Sequence, residues 1–244
     1  MTIPSDDELL FLALGGAGEI GMNLNLYGHA GKWLMLDLGI AFGDDSMPGV
    51  EVIMPDPSFI EERRKDLVGI VLTHAHEDHL GAVADLWPRL KAPVYATPFA
   101  ASVLRRKLTQ AGLVDAVRIT EIPLRGKFRL GPFDLEMVTM THSILEPNGL
   151  AIRTKFGTVF HTGDWKIDPE PLLGELTDEA LLKRIGDEGV LAMVCDSTNV
   201  FVEGEAGSEA MVRANLRELL KGRTGRVAVT CFASNLARVE SIAL

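Results

Sequence analysis

The sequence predicts an α/β fold, and three observations predict it. Residues 67–72 form an apolar run, followed by a polar loop, a helix-like stretch to Leu90, a strand at 93–96 and a helix from Pro98 to Ala111. Strand, loop, helix, strand, helix is the alternation of an α/β unit. Further on, residues 127–130 and 133–140 read as strands across Gly131-Pro132, and 150–155 and 158–161 as a hairpin about Gly157. The composition, 47% hydrophobic and 24% charged, is that of a globular chain with material for a core. At 244 residues it could form one large domain or two small ones.

Taken in order, residues 9–14 are a short apolar strand. Residues 16–21 fit GxGxxG, the dinucleotide-binding pattern, which requires a helix to follow. Residues 22–27 instead alternate apolar and polar, which is a strand. The dinucleotide reading fails on that context, and a glycine turn between two strands replaces it. Such a turn lets a backbone or phosphate approach closely. Residues 32–38 are a third strand ending at Asp37, a carboxylate that needs a partner if buried. Residues 40–57 are rich in Gly, Pro and Asp and read as loop. A short helix at 57–62 is expected to be capped by Ser58. The clusters Arg63-Arg64-Lys65 and Arg105-Arg106-Lys107 read as solvated faces. Gly112 closes the helix that Pro98 opens. Residues 177–188 are an amphipathic helix, 190–194 a strand, and 201–208 a polar, glycine-rich junction. Ser208 caps a helix to about Lys221; a strand at 226–231 and a helix begun by residues 232–235 follow. That last helix is still in pattern at Leu244, so the chain reads as breaking off there.

Net charge is −10, from 24 basic and 34 acidic side chains, which does not fit a generic phosphate binder. A local groove, or metals that meet the phosphate, would still fit. Cys195 and Cys231 lie in apolar runs and are expected to be buried thiols of a reducing compartment. The acidic N-terminus lacks the apolar core of a signal peptide, and no apolar run is long enough to span a bilayer. The expected location is the cytoplasm.

The chemistry concentrates in Thr73-His74-Ala75-His76-Glu77-Asp78-His79, which holds three of the six histidines. Imidazole and carboxylate are both good zinc ligands. Alternation at 74 and 76 lets two rings converge on one ion, while Asp78 and His79 turn toward a neighbouring position. One loop could thus serve two metals about 3.5–4 Å apart. A helix-capping loop is the bland alternative. His142 ends a strand and is placed as a third ligand beside His74 and His76; Asp164, just past a strand, suits a carboxylate bridging two ions. His161 reads as a core or edge histidine and His29 as a turn residue.

The HxHxDH run matches the signature of the metallo-β-lactamase superfamily, with Asp37, His142 and Asp164 in the expected order. The wider text, GGAGEIGMN at 15–23, THAHEDHLG at 73–81, THS at 141–143, GDWKID at 163–168, DSTN at 196–199 and FASN at 232–235, resembles bacterial ribonuclease J, of the β-CASP branch. The resemblance covers essentially the whole chain. It implies an αββα sandwich in residues 1–200, incomplete, followed by the start of a β-CASP domain in 201–244. It implies RNA cleavage, endonucleolytic and 5′→3′ exonucleolytic, on single-stranded RNA with a 5′ monophosphate, and a homo-oligomer at full length. Two divalent ions, zinc or manganese, would be held by His74, His76 and His142 on one side and Asp78 and His79 on the other, bridged by Asp164. Asp37 would steady a ligand histidine. Asp78 would also orient the nucleophile, Asp196 would assist proton transfer to the leaving oxygen, and Ser234 and Asn235 would lie near the RNA. One departure stands out: the family completes its second metal site with a later histidine, and no histidine follows His161 here. The rivals are a thioesterase of the glyoxalase II kind and an inactive truncated binding module.

Overall fold

The computed structural model describes residues 4–244. The first half of the chain builds β1 (Leu9–Gly15), β2 (Leu24–His29), β3 (Lys32–Leu36), the small ribbon β4 (Ala41–Phe42) and β5 (Val52–Ile53), α1 (Ser58–Glu61), β6 (Leu67–Val71), α2 (Glu77–Leu80), α3 (Val83–Leu90), β7 (Val94–Ala96), α4 (Pro98–Gln110) and β8 (Ile119–Glu121). These strands make a six-stranded sheet in the order β1-β2-β3-β6-β7-β8. Its first three strands are antiparallel and the rest parallel. The second half contributes β9 (Lys127–Leu130), β10 (Phe133–Thr139), β11 (Asn148–Thr154), β12 (Gly157–His161), α5 (Glu179–Glu188) and β13 (Val190–Val194). They form a five-stranded sheet, β13-β12-β11-β10-β9. Beyond it lie α6 (Glu209–Leu220) and α7 (Leu236–Ala243).

Alternating side chains assign the layers, because successive residues of a strand point to opposite faces. On β3, Trp33 and Met35 join the cluster under α3 and α4, while Leu34 and Leu36 face the other sheet. On β10, Phe133, Leu135 and Met137 meet Leu34, Leu36 and Tyr27 between the sheets, and Val138 turns outward to Leu181 and Ile185 of α5. Three apolar layers therefore separate four layers of structure: helices, sheet, sheet, helix. This is the αββα sandwich. Its residues come from the part of the chain before Cys195; after it, Ala237 is the buried apolar residue.

Several local expectations change. The second strand begins at Leu24 rather than Met22, because Met22 sits at φ +39. The third ends at Leu36, because Asp37 takes φ +60 to turn its carboxylate inward. Ser58 does not cap α1; its hydroxyl and amide both bond Asp56 Oδ1, so Asp56 shapes that turn. His29 is the last residue of β2, buried, with Nδ1 on the Glu8 carbonyl at 2.8 Å. Residues 226–231 are not a strand, since no described strand lies beside them to take up their backbone bonds. Cys195 and Cys231 are exposed, not buried. An apolar run buries its thiol only where something packs over it, and β13 shows Leu191 and Met193 to solvent as well. Lys107 is not merely solvated: it pairs with Glu77 of the histidine loop at 2.7 Å. Ser208 does cap α6, accepting the Met211 amide at 3.1 Å.

Candidate metal centre

The histidine loop leaves β6 at its C-terminal end, where parallel strands of an α/β sheet present their ligands. Asp37, at the end of neighbouring β3, is wholly buried and organises the loop. Its Oδ1 accepts the Thr73 amide at 2.8 Å, and its Oδ2 accepts the Thr73 hydroxyl at 2.9 Å and His79 Nδ1 at 2.7 Å. A hydroxyl that donates to Asp37 must accept from its next neighbour, His74 Nδ1, at 3.0 Å. This network places the protons of His74 and His79 on Nδ1 and turns both Nε2 atoms into the cleft. Orientation of ligand histidines by a carboxylate is the usual supporting arrangement of metal sites.

Two clusters result. His74, His76, His142 and Asp164 bring one ligand atom each within 4.8 Å of one another, as do Asp78, His79 and Asp164. His76 Nδ1 lies 3.1 Å from His74 Nε2 and 3.2 Å from His142 Nε2. Burial, reinforced by the neighbouring imidazoles, drives the His74 pKa well below its ordinary value and lowers His76 to about 4. Three converging neutral nitrogens with lone pairs fit a soft-to-borderline cation. The second cluster is richer in carboxylate. Burial opposes a charge on His79, yet Asp37, Asp164 and Asp78 outweigh it and raise the ring well above its ordinary pKa. Burial likewise pushes Asp78 and Asp164 upward, and the contact with His79 holds both below the usual carboxylate range. Two carboxylates converging on one imidazole mark a place that calls for positive charge. Asp164 serves both clusters. Its Oδ1 lies 3.2 Å from His79 Nε2 and its Oδ2 lies 3.6 Å from His142 Nε2.

The other expected residues divide. Asp196 follows β13, its amide near Thr162 Oγ1 at 3.0 Å, while Oδ1 is engaged by the Thr198 amide and hydroxyl. Its charge reaches His142. Asn235 caps α7 through the Arg238 amide at 3.0 Å and, with Glu209 and Leu236, lines a shallow pocket that His142 also borders. Ser234 is half-buried just before it. A larger cleft of about 250 Å³ opens on the other side of His142, lined by Phe99, Leu145, Pro147, Leu173 and Glu146 among others. Sequence reading missed Thr73, the hydroxyl that links Asp37 to His74, and Asn23, which touches the second cluster. Asn23 is polar at the mouth of an apolar-alternating strand, a signal too common to single it out.

His161 is not a ligand. It is buried beside the centre with Nδ1 3.0 Å from the Tyr27 hydroxyl. Burial lowers its pKa to about 4, from an unfolded value near 6.5. The unfolded chain therefore takes up a proton at a pH where the folded chain does not. The ring's contribution to stability is complete above pH 6.5 and is lost as pH falls toward 4. In chelator, the parent is expected to lose about 2–3 kcal/mol more than His161→Gln between pH 7 and pH 4.5, by urea unfolding. Parallel profiles for the two proteins would remove His161 from the acid response.

A model of the β-lactamase superfamily domain matches residues 45–233. The chain belongs to the β-lactamase superfamily. Within the superfamily the chain is similar to ribonuclease J: 50% identical over 242 residues to that of Sinorhizobium meliloti, 40% over 236 to that of Synechocystis sp. and 41% over 231 to that of Mycolicibacterium smegmatis. It is covered over 98%, 96% and 94% of its length, and spans 43%, 37% and 41% of theirs. Among solved structures, a protein of unknown function from Enterococcus faecalis V583 superposes on 97% of the chain and 62% of its own, with TM-score 0.64 at 14% identity. At that identity the likeness speaks for the fold alone. No described helix is long and apolar enough to cross a membrane.

Proposed function

We propose that this chain carries the metal centre of a ribonuclease J-type RNA phosphodiesterase with endonuclease and 5′→3′ exonuclease action. The observation that carries the reading is Asp164, whose two oxygens face two differently charged clusters. A single-ion hydrolase needs no such carboxylate. Two divalent cations, zinc or manganese, would supply a water whose pKa is lowered toward ~7 and a clamp for phosphate charge. His74, His76 and His142 would hold one, Asp78 and His79 the other, with Asp164 between. The chain's own residues do the rest. Asp37 and Thr73 fix the ring orientations, and Asp78 directs the attacking oxygen. Asp196, next to His142, passes a proton to the leaving oxygen. Ser234 and Asn235 face the RNA from the start of α7. Residues 1–200 are the N-terminal part of the metallo-β-lactamase domain, and residues 201–244 belong to a second, β-CASP domain, a division supported by the lack of apolar core after β13. The substrate is single-stranded RNA with a 5′ monophosphate, met in the cytoplasm, with homo-oligomers a property of the full-length protein.

A second reading has one observation behind it. Among the described residues the second cluster brings together Asp78, His79 and the shared Asp164, three donors where the first has four. A chain that fills one site and not the other would bind a partner or RNA without cutting it. Metal stoichiometry and cleavage of a 5′-monophosphorylated RNA, beside His76→Ala, separate the two. About two ions per chain, with cleavage abolished in the variant, is the expected result. One ion or none, with no cleavage, would establish the binding module.

A further inference from the structure

The glycine-rich turn between β1 and β2 is a sequence motif that neither the ligand set nor the proposed roles use. It ends at Asn23, and Asn23 reaches across the fold. Its amide N–H donates to the Asp78 carbonyl at 3.0 Å, and its side-chain Nδ2 donates to the same oxygen at 3.1 Å. Its own carbonyl accepts the Gly39 amide at 3.0 Å. The Asp78 carbonyl belongs to the peptide that joins the two ligands Asp78 and His79. Two donors from one residue hold that peptide against rotation. Nδ2 also lies 3.2 Å from His79 Nε2, the ring nitrogen turned into the cleft.

The glycines make this contact possible. A Cβ on Gly39 would sit 1.6 Å from the Asp78 oxygen, so only a glycine lets the strands' ends meet there. A Cβ on Gly16 would sit 2.1 Å from Asn23 Oδ1, and Gly16 also takes φ +80. Gly16 thus leaves the space that the Asn23 amide fills. The hydrogen bonds of that amide span 55 and 56 residues instead of closing its own turn, so the turn serves the centre rather than itself.

We infer that Asn23, seated over Gly16, is a positioning residue for the second cation site, locking the Asp78–His79 peptide so that both side chains face Asp164. The inference rests on the two-cation reading given above. Its test is a Co2+ titration, by calorimetry and visible absorption, of the parent, Asn23→Ala, Gly16→Ala and the double variant. The parent takes two ions. Asn23→Ala keeps the affinity of the first site and weakens the second about 10–100-fold, the usual effect of removing a group that orients a ligand. Gly16→Ala weakens the second site in the same sense. In the double variant the second site is no weaker than in Asn23→Ala, because both changes act through one amide. Unchanged second-site affinity in Asn23→Ala, or losses that multiply in the double variant, would overturn the inference. Fewer than two ions on the parent would instead overturn the two-cation reading beneath it. If Asn23→Ala does not fold, Asn23→Ser, which keeps the backbone bonds and shortens the donor, undergoes the same titration with the same outcomes.

Discussion

Replacing Asp164 with alanine is expected to cost both cations, where any other ligand change costs one. Among the described residues the carboxylate is the only group that addresses His79 with one oxygen and His142 with the other. Without it the first cluster keeps three imidazoles and no negative charge, and the second keeps one carboxylate against one imidazole. Metal content by atomic emission should fall from about two per chain to below one, and RNA cleavage by about 1000-fold or more, since nucleophile and charge clamp both depend on the pair. Asp164→Asn keeps the side chain's shape but only one acceptor oxygen, and it loses the negative charge that two adjacent cations require. Retention of two ions by Asp164→Ala would show that the centre is not bridged at this residue.

The largest stability effect is expected at Phe133. It opens β10, is fully buried between the sheets, and packs with Leu34, Leu36 and Leu135. Its ring also meets the buried His29 edge-on, with centroids 6.4 Å apart. Phe133→Ala removes the apolar surface and leaves a cavity that two rigid sheets cannot close, a loss of about 3–5 kcal/mol. Urea unfolding measures it directly. A loss below about 1 kcal/mol would mean that the inter-sheet layer relaxes around the gap.

The parts of this molecule that were legible in its sequence are those where chemistry restricts residue choice. Metal chemistry demands His and Asp, so the run from His74 to His79, His142 and Asp164 stood out, and the structure brings them together in two clusters. Strand-like runs set off by the turns at Gly131-Pro132 and Gly157 made β9 to β13 visible to within two residues. The rest depends on neighbours that a linear reading does not contain. Residues 226–231 have strand composition but no adjacent strand, and Cys195 has an apolar context but no cover. Asp37 was recognisable as a carboxylate in need of a partner, and its partners are His79 and Thr73; the intermediary hydroxyl of Thr73 was not recognisable. Asn23 was least legible of all. It works on a backbone carbonyl, which has no sequence signature, through space that a glycine leaves free.

The two sheets come from two successive stretches of chain, β1 to β8 and then β9 to β13. His74, His76, Asp78 and His79 ride on the first stretch, and His142 and Asp164 on the second. The centre is therefore a seam. During synthesis the earlier half can collapse around its own helices while its four donors wait for His142 and Asp164. An ion seized before the later sheet arrives meets an unfinished set of ligands and leaves again. Firm capture then times the closing of the seam, and chelation should slow the docking of the halves more than the formation of either one.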